Sequence, residues 1–471
     1  YWGWDPVENA ALLPWLTATA FLHSTMVQER RGMLKVWNLV LIVASFVLSI
    51  FGTFEVRSGI ISSVHSFAYS DIGIYFLTFL VLAIVFSSLL FVYRLPKLRP
   101  EQEFDSVVSR EGIFLLNNLL LVGIAFATLW GTIFPLISAA IHQQTMSVGP
   151  PFYDSVNGPL FVLLILAMGV GPLLAWRRTS TRVLWRNLGI PALAAAACAI
   201  ILPLAGIRDI WPNIGFAVCS FTAIAILYEL WRGMRVRHSH GESYPVALLM
   251  LIQRYRQRYG GYIVHLGLVM LTVGVIGSHF FQVQQDAVLK PGQEMNVAGY
   301  RLTYFGNIET TGPGTDTVEA IMQVWRDGQL QHYIYPGREF YQNFGNQPAS
   351  LISISTFGLT DVYVLLDDWN GAAQATIRVF INPLTPLVWY GGLFMLIGGV
   401  VCWWPERRKV LKVSTSAAPQ RRKSVKRVNT VASAAPQGSG TVNALSTSTN
   451  ANTNGTGATE VTGRDDEEVV V

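Results

Sequence analysis

Two histidines of this sequence lie inside long apolar segments, His23 in the run of residues 20–25 and His265 in the run of residues 262–267. An ionisable side chain at membrane depth is costly, so each is a functional hypothesis by default. The alternative for either histidine alone is a neutral ring that is hydrogen-bonded to a neighbouring helix. Taken singly, neither residue decides between these two interpretations.

The depths of the two histidines favour a shared site. The apolar span around His23 ends near Gln28, and the span around His265 starts near Gly260 at the same side of the membrane. Each histidine is therefore about five residues, or roughly 8 Å, from that side, on helices that run in opposite directions. Two histidines alone would leave a zinc ion under-coordinated. Haem brings four ligands of its own, so a haem iron fits the pair better.

A third histidine, His65, lies in a short loop between two apolar spans and is flanked by small and apolar residues. It could be an axial ligand of a second haem at the outer face, and the alternative is an exposed loop residue. The other histidines have no comparable partner. We interpret them as surface or structural residues: His142, His238, His240, His279 and His332.

Three tryptophans, Trp2, Trp4 and Trp15, surround the acidic run that begins at Asp5. Interfacial tryptophans commonly form an anchoring belt, which is the simpler interpretation. A flat aromatic cluster beside the histidine of the outer loop would also suit a porphyrin, with indole faces stacked on the ring. Arg57 could then meet the haem propionates in charge-assisted pairs.

The composition indicates a membrane protein that would position these residues. Of 471 residues, 51% are hydrophobic and only 13% are charged, whereas a soluble domain has about a quarter charged residues. The three cysteines, Cys198, Cys219 and Cys402, form no CxxC pair, so no disulfide framework or thiol redox motif is expected. About nine segments are long enough to span a bilayer, near residues 10–28, 36–54, 73–93, 114–139, 159–176, 188–206, 212–231, 261–281 and 384–404.

The net charge of +5 does not indicate a nucleic-acid partner, because Lys and Arg lie in short clusters between the apolar spans. These clusters follow every second span, as the positive-inside rule expects. We therefore expect a multi-pass protein of the cytoplasmic membrane, with residues 1–9 outside and the basic loops and C-terminus inside. Because the sequence starts at Tyr1 without Met, we expect its natural start to lie upstream.

Residues 282–383, between the last two spans, alternate polar and apolar side chains. This pattern predicts a small outer β-domain, either a sheet or a barrel. Within it, residues 320–326 and 329–335 flank Asp327 and Gly328, which predicts a two-residue β-hairpin. After Arg408 the composition is dominated by Ser, Thr, Asn, Ala and Gly, which predicts a disordered tail.

The predicted fold class is an all-α polytopic membrane bundle with a small outer β-domain and a disordered C-terminal tail. The expected domains are a transmembrane haem-binding bundle at 1–281, the outer β-domain at 282–383, a last transmembrane helix at 384–410 and a disordered cytoplasmic tail at 411–471.

Residues 2–10 (WGWDPVENA) resemble the tryptophan-rich WWD signature of the haem-handling proteins of cytochrome c biogenesis, and residues 1–410 resemble the CcmF family. By this resemblance His23 and His265 bind a buried b-type haem, and His65 is the second of two outer haem ligands. By the same resemblance we expect the first outer ligand to lie upstream of the signature, outside this sequence. The matching runs are residues 21–24, 29–32, 52–54, 56–59, 63–67, 117–118, 131–135, 147–153, 171–172 and 265–267.

The resemblance implies a haem lyase, the cytochrome c synthase subunit that forms thioethers. It would accept haem from a CcmE-like haem chaperone and hold this substrate in an outer cradle of Trp2, Trp4, Asp5, Trp15 and Arg57. The haem vinyl groups would then meet the two thiols of a CxxCH apocytochrome c, presented with a CcmH-like thioredox subunit. The buried haem b would pass electrons to the outer haem.

Other interpretations remain open from the sequence. A haem exporter would carry the buried haem in transit across the membrane. A quinol-linked b-cytochrome subunit usually needs two bis-histidine haems inside the bundle, and the sequence offers one pair. A non-catalytic assembly scaffold would tolerate replacement of His65. A paralogue dedicated to one special cytochrome, such as a nitrite reductase, would share all of these residues.

Overall fold

The computed structural model describes residues 2–61, 63, 71–98, 106–176, 179–342, 347–371 and 373–405. His65 and the expected tail at 411–471 lie outside the described residues. Residues up to Trp404 belong to one structural unit, so the helices and strands can be discussed together.

Nine helices of the described residues are long and apolar enough to cross a membrane, and they match the nine segments predicted from the sequence. The remaining helix, α8, has only 11 residues, which are too few to span a bilayer. The predicted class of a polytopic helical bundle with a small β-domain is therefore confirmed. The helices are α1 (Pro6–Arg31), α2 (Lys35–Ser58), α3 (Ile72–Arg94), α4 (Arg110–His142), α5 (Pro150–Val170), α6 (Thr181–Leu204), α7 (Ile210–His238), α8 (Tyr244–Arg254), α9 (Arg256–Phe280) and α10 (Pro386–Trp403).

Helix α1 begins and ends at residues that favour helix termini. The Asp5 carboxylate accepts from the backbone N–H of Val7 at 3.1 Å, and the Glu8 carboxylate accepts from the backbone N–H of Asp5 at 3.1 Å. The second bond belongs to a capping box, in which the Asp5 side chain also accepts from the backbone of Glu8, and which satisfies backbone donors at a helix start. Gly32 ends the helix in the left-handed conformation, with φ of 63°. The capped start and defined end fix the register of α1, and with it the place of His23.

Helices α9 and α10 pack closely through glycines. Gly260 and Gly267 on α9 face Gly398 and Gly391 on α10. A Cβ atom added to Gly267 would lie 2.6 Å from the carbonyl oxygen of Gly391, closer than real Cβ contacts. Small residues let membrane helices approach at backbone distance. The α9–α10 pair is therefore a firm support for His265.

The β-domain is a sandwich of two antiparallel sheets whose inner faces share one apolar core. The first sheet has the strand order β1-β10-β9-β8, and the second has β2-β3-β4-β6-β7 with β5 paired to β4. The expected β-domain, predicted as a sheet or a barrel, is thus a sandwich of two sheets. The strands are β1 (Val283–Leu289), β2 (Glu294–Val297), β3 (Tyr300–Gly312), β4 (Thr315–Arg326), β5 (Gln329–Ile334), β6 (Gly337–Tyr341), β7 (Gln347–Leu351), β8 (Ser353–Phe357), β9 (Thr360–Asn370) and β10 (Gln374–Pro383).

The predicted hairpin at Asp327 and Gly328 is confirmed. These two residues connect β4 to β5, and Arg326 pairs directly with Gln329. Both connecting residues have positive φ, 51° for Asp327 and 74° for Gly328. This is the backbone of the tight turn that Asp-Gly favours between antiparallel strands.

The two ends of the bundle differ in what they carry. Because β1 starts directly after α9 and α10 starts directly after β10, the sandwich is attached to one end, here named the β-domain end. The start of α1 is at this end too, since Trp4 is bonded to Asp154, which lies beside His279 near the end of α9. The opposite end, here named the basic end, carries arginines at the termini of α1, α4 and α9: Arg30, Arg110 and Arg258.

Candidate functional site

The rings of His23 and His265 lie side by side inside the bundle. Their centroids are 6.2 Å apart, and the ring planes are within 10° of parallel. Metal–imidazole bonds are about 2 Å long, as they are for zinc. Two such bonds, plus the distance from each coordinating nitrogen to its ring centroid, add up to nearly the observed separation of the two centroids. The spacing therefore suits two axial ligands on opposite sides of one metal.

Hydrogen bonding determines which ring nitrogens are available. Nδ1 of His23 lies 2.8 Å from the carbonyl oxygen of Thr19. A carbonyl can only accept, so Nδ1 donates and Nε2 keeps its lone pair. This is the tautomer of a metal-binding histidine whose second nitrogen is fixed by the backbone. Nδ1 of His265 is buried and has no hydrogen-bond partner among the described residues, which is unfavourable unless another group satisfies it.

The two histidines meet across a gap between helices. Among the described residues, α1 packs closely on α2 and α4, and α9 packs closely on α7, α8 and α10, but α1 and α9 are not a closely packed pair. Phe114 of α4 lines the gap, with its ring centroid 5.8 Å from that of His23. The gap is apolar on one side, and two imidazoles face each other across it. It therefore fits a flat, largely apolar group that carries a metal.

The described residues contain no group of three or more His, Cys, Asp or Glu side chains that could hold a metal ion. A zinc ion between His23 and His265 would therefore have only these two protein ligands, fewer than the three or four it needs. Haem supplies four equatorial nitrogens, so two histidines complete its iron coordination. The residues present thus fit a bis-histidine haem better than a bare metal ion.

The tryptophan-rich segment is held at the β-domain end by the first turn of α5. Trp4 stacks on Tyr153, with centroids 4.9 Å apart and planes within 9°, and its Nε1 donates to Asp154 at 2.9 Å. Trp2 meets Trp4 edge to face at 5.9 Å. The backbone of Trp4 has a φ of 56°, which is uncommon for a residue other than glycine. These contacts hold the indole in a conformation that the backbone alone disfavours.

The structure does not bring all of the predicted outer residues together. The Asp5 carboxylate caps α1 and also accepts a hydrogen bond from the Ser63 hydroxyl, so its hydrogen bonds stabilise the fold of this segment. Trp15 is ten residues further along α1, about 15 Å away, and has no described ring contact with the other tryptophans. Arg57 is exposed in the last turn of α2. His65 lies outside the described residues.

Buried polar side chains lie beneath the tryptophan-rich segment, and hydropathy alone does not identify them. Asn9 donates to the hydroxyl of Thr132 at 3.2 Å and to the carbonyl of Trp4 at 3.1 Å. Glu55 on α2 is 1% exposed, and neither of its carboxylate oxygens has a hydrogen-bond partner in the part of the chain that the structure describes. A charged residue inside an apolar run is the signal that could have identified Glu55 from the sequence.

Comparison with known proteins agrees with this architecture. The family model for "Cytochrome C assembly protein" matches residues 1–62, and that for "CcmF C-terminal beta-sandwich" matches residues 280–383. CcmF of Pseudomonas aeruginosa, a cytochrome c-type biogenesis protein, is 33% identical over 422 residues, which cover 88% of this chain and 62% of that protein. Over most of its length this chain is similar to proteins of the CcmF family.

Two further relatives show the same similarity to CcmF proteins. The cytochrome c-type biogenesis protein CycK of Bradyrhizobium diazoefficiens is 33% identical over 89% of this chain and 63% of its own length. A solved structure described as cytochrome c haem lyase CcmF is 28% identical, with a TM-score of 0.69 over 86% of this chain and 61% of that one. This chain therefore spans about three fifths of the length of the CcmF relatives that it matches.

Proposed function

We propose that this chain acts in cytochrome c biogenesis as a haem lyase, which holds haem at one membrane face and joins it to the CxxCH motif of apocytochrome c. The observation that carries the proposal is the pair of His23 and His265, whose separation and available nitrogens suit a bis-histidine b-type haem. The printed names of the relatives, cytochrome c-type biogenesis proteins and a cytochrome c haem lyase, support it.

The proposed reaction adds each cysteine thiol to a vinyl group of the substrate haem. The S–H bond breaks, a carbon–sulfur bond forms at the vinyl carbon next to the ring, and a proton joins the terminal vinyl carbon, so there is no net oxidation. The chain's task is therefore to position haem and peptide. Trp2 and Trp4 would offer indole surface to the porphyrin, His65 would be an axial ligand, and Arg57 would meet a propionate.

The intramembrane site has a separate task. A haem b held by His23 and His265 would supply electrons that keep the substrate iron reduced. The carbonyl of Thr19 orients the His23 ring, and Phe114 excludes water from its side of the gap. These residues therefore act on the position and surroundings of the redox group and do not touch the thiols.

The proposed partner proteins would bind at the β-domain end of the molecule. We propose that a CcmE-like chaperone delivers haem and that a CcmH-like thioredox subunit presents apocytochrome c. The sandwich is at the same end as the tryptophan-rich segment, where it could guide both proteins. We place this end at the outer face of the cytoplasmic membrane and the basic end and C-terminus in the cytoplasm, because arginine-rich ends stay inside.

The test is the reduced-minus-oxidised absorption spectrum of the full chain purified in detergent, beside His23→Gly and His265→Gly. We expect a b-type spectrum that is lost in both variants, because each removes one axial ligand. His142→Gly, an exposed change in the last turn of α4, is the matched control and should keep the spectrum. A chain purified without haem from haem-replete cells, or a spectrum that survives both ligand changes, would contradict the proposal.

A further inference from the structure

Each histidine of the intramembrane pair has an arginine seven residues away towards the basic end. On α1 this is Arg30, seven residues after His23, and on α9 it is Arg258, seven residues before His265. Seven residues are about two helical turns, or roughly 10.5 Å, and return to nearly the same helix face. Both arginines therefore lie below the histidine pair on the sides of α1 and α9 that carry it.

Aromatic rings connect His23 to two of the arginines at the basic end. Phe114 contacts His23, and the ring centroid of Trp176 is 5.9 Å from that of Phe114. The guanidinium carbons of Arg30 and Arg110 are 4.9 and 5.6 Å from the Trp176 centroid. Both guanidinium groups thus contact one tryptophan ring. This ring is at the far end of the short row of aromatic side chains that begins beside His23.

The two arginines on Trp176 differ from their neighbours in lacking a carboxylate. Arg258 is paired with Glu229 at 3.0 Å, and Arg31 is paired with Glu111 at 2.8 Å. In the part of the chain that the structure describes, Arg30 and Arg110 have no carboxylate within 4.0 Å.

Arg110 is also incompletely hydrogen-bonded. Its Nη2 donates to the carbonyl of Pro172 at 3.1 Å, but its Nε is buried and finds no hydrogen-bond partner within the described ranges. A buried cation with an unsatisfied donor is costly unless an anion joins it. The two arginines therefore have the chemistry of a carboxylate-binding pair.

We propose that Arg30 and Arg110 bind the two propionates of the haem whose iron His23 and His265 ligate, so that the propionate edge points towards the basic end. This inference rests on the buried haem of the proposed function. The two propionates leave one edge of the macrocycle, which agrees with both arginines lying on the α1–α4 side. Charge-assisted pairs with guanidinium groups would fix the haem in one orientation.

The test compares haem b with its dimethyl ester, whose propionates carry no charge, in titrations of apoprotein made in haem-starved cells. We expect the unchanged protein to bind haem b about 10- to 100-fold more tightly than the diester, because charged hydrogen bonds are lost. In the double variant Arg30→Gln and Arg110→Gln, haem b should bind only as well as the diester. Arg254→Gln, an exposed change at the same end, should keep the full difference.

Binding of the diester by the double variant would show that the variant is folded, and each single variant should lose part of the difference. The inference is overturned if the unchanged protein binds both haems equally, or if the double variant still discriminates. In either case the histidine-dependent spectrum would remain, and the proposed function would stand. If neither haem binds the unchanged protein, the buried haem site and this inference fail together.

Discussion

Trp4 has only part of its surface left for a ligand. One face of its ring is covered by Tyr153, and its indole nitrogen is bonded to Asp154. A porphyrin could therefore meet only the opposite face of Trp4 or the half-exposed ring of Trp2. This arrangement assigns α5 the role of setting the position of the tryptophan-rich segment, and Asp154 is the residue through which that role can be tested.

Replacing Asp154 should separate a positioning role from a charge role. Asp154→Leu removes the acceptor for the indole N–H of Trp4, which should lower the stability by about 1 kcal/mol. Covalent haem attachment should then fall several-fold. Asp154→Asn keeps an acceptor oxygen and should retain most of the attachment. The measurement is the yield of haem-stained cytochrome c, with Ser155→Ala as an exposed neighbouring control. Equal impairment of both Asp154 variants would mean that its charge, which faces His279, is what matters.

The sequence predicts some site residues better than others. His23 and His265 stand out because each is an ionisable residue in an apolar span, and counting from the span ends places them at one depth. Nothing comparable marks Asp154, which meets Trp4 across 150 positions of the chain, or Trp176, whose partners are on α1 and α4. Such contacts depend on how helices pack, and hydropathy alone does not encode helix packing.

At the scale of helices, the close approach of α9 and α10 determines where His265 lies. Gly267→Ala would place a Cβ atom 2.6 Å from the carbonyl oxygen of Gly391 and 2.8 Å from the backbone nitrogen of Met395. The helices would have to separate, and we expect a loss of about 1–3 kcal/mol in stability together with reduced haem content, because His265 is two residues away. Thermal unfolding in detergent and the haem-to-protein ratio measure both effects.

Gly261→Ala is the matched control for this helix pair. A Cβ atom at Gly261 would meet nothing within 4 Å, so this change should leave haem content intact and slightly favour the helix. If Gly267→Ala were as stable and as haem-rich as Gly261→Ala, the two backbones would not be in contact. A difference between the two variants would assign the effect to the interface and not to the loss of glycine flexibility.

Hydropathy identifies long spans well and short elements poorly. All nine spanning helices were predicted, because 20 or so apolar residues are hard to explain otherwise. Helix α8 was not predicted, since 11 residues near a basic loop give a weak signal. In the β-domain, the Asp327-Gly328 hairpin was predicted from its turn, whereas the short strand β2 has no turn residues as specific as these. The arrangement in two sheets depends on long-range pairing, such as β1 with β10.

For the whole molecule, the distance between the two proposed haem positions limits how they can cooperate. His23 is 18 residues from Asp5 along α1, or about 27 Å, close to the hydrocarbon thickness of a bilayer. A haem held by His23 and His265 could therefore not touch the thiols or the vinyl groups at the β-domain end. If it contributes to the reaction, it does so by delivering electrons over a distance or by stabilising the bundle.

These two contributions can be distinguished in membranes that contain His23→Gly and an apocytochrome c with a CxxCH motif. We expect attachment to fall strongly in this variant and to recover when dithionite is added, because a chemical reductant replaces the electrons of the missing haem. His142→Gly should need no added reductant. Recovery would assign the intramembrane haem to electron delivery. Failure to recover, with the variant still present in the membrane, would instead mean that the haem holds α1 and α9 in place for a site 27 Å away.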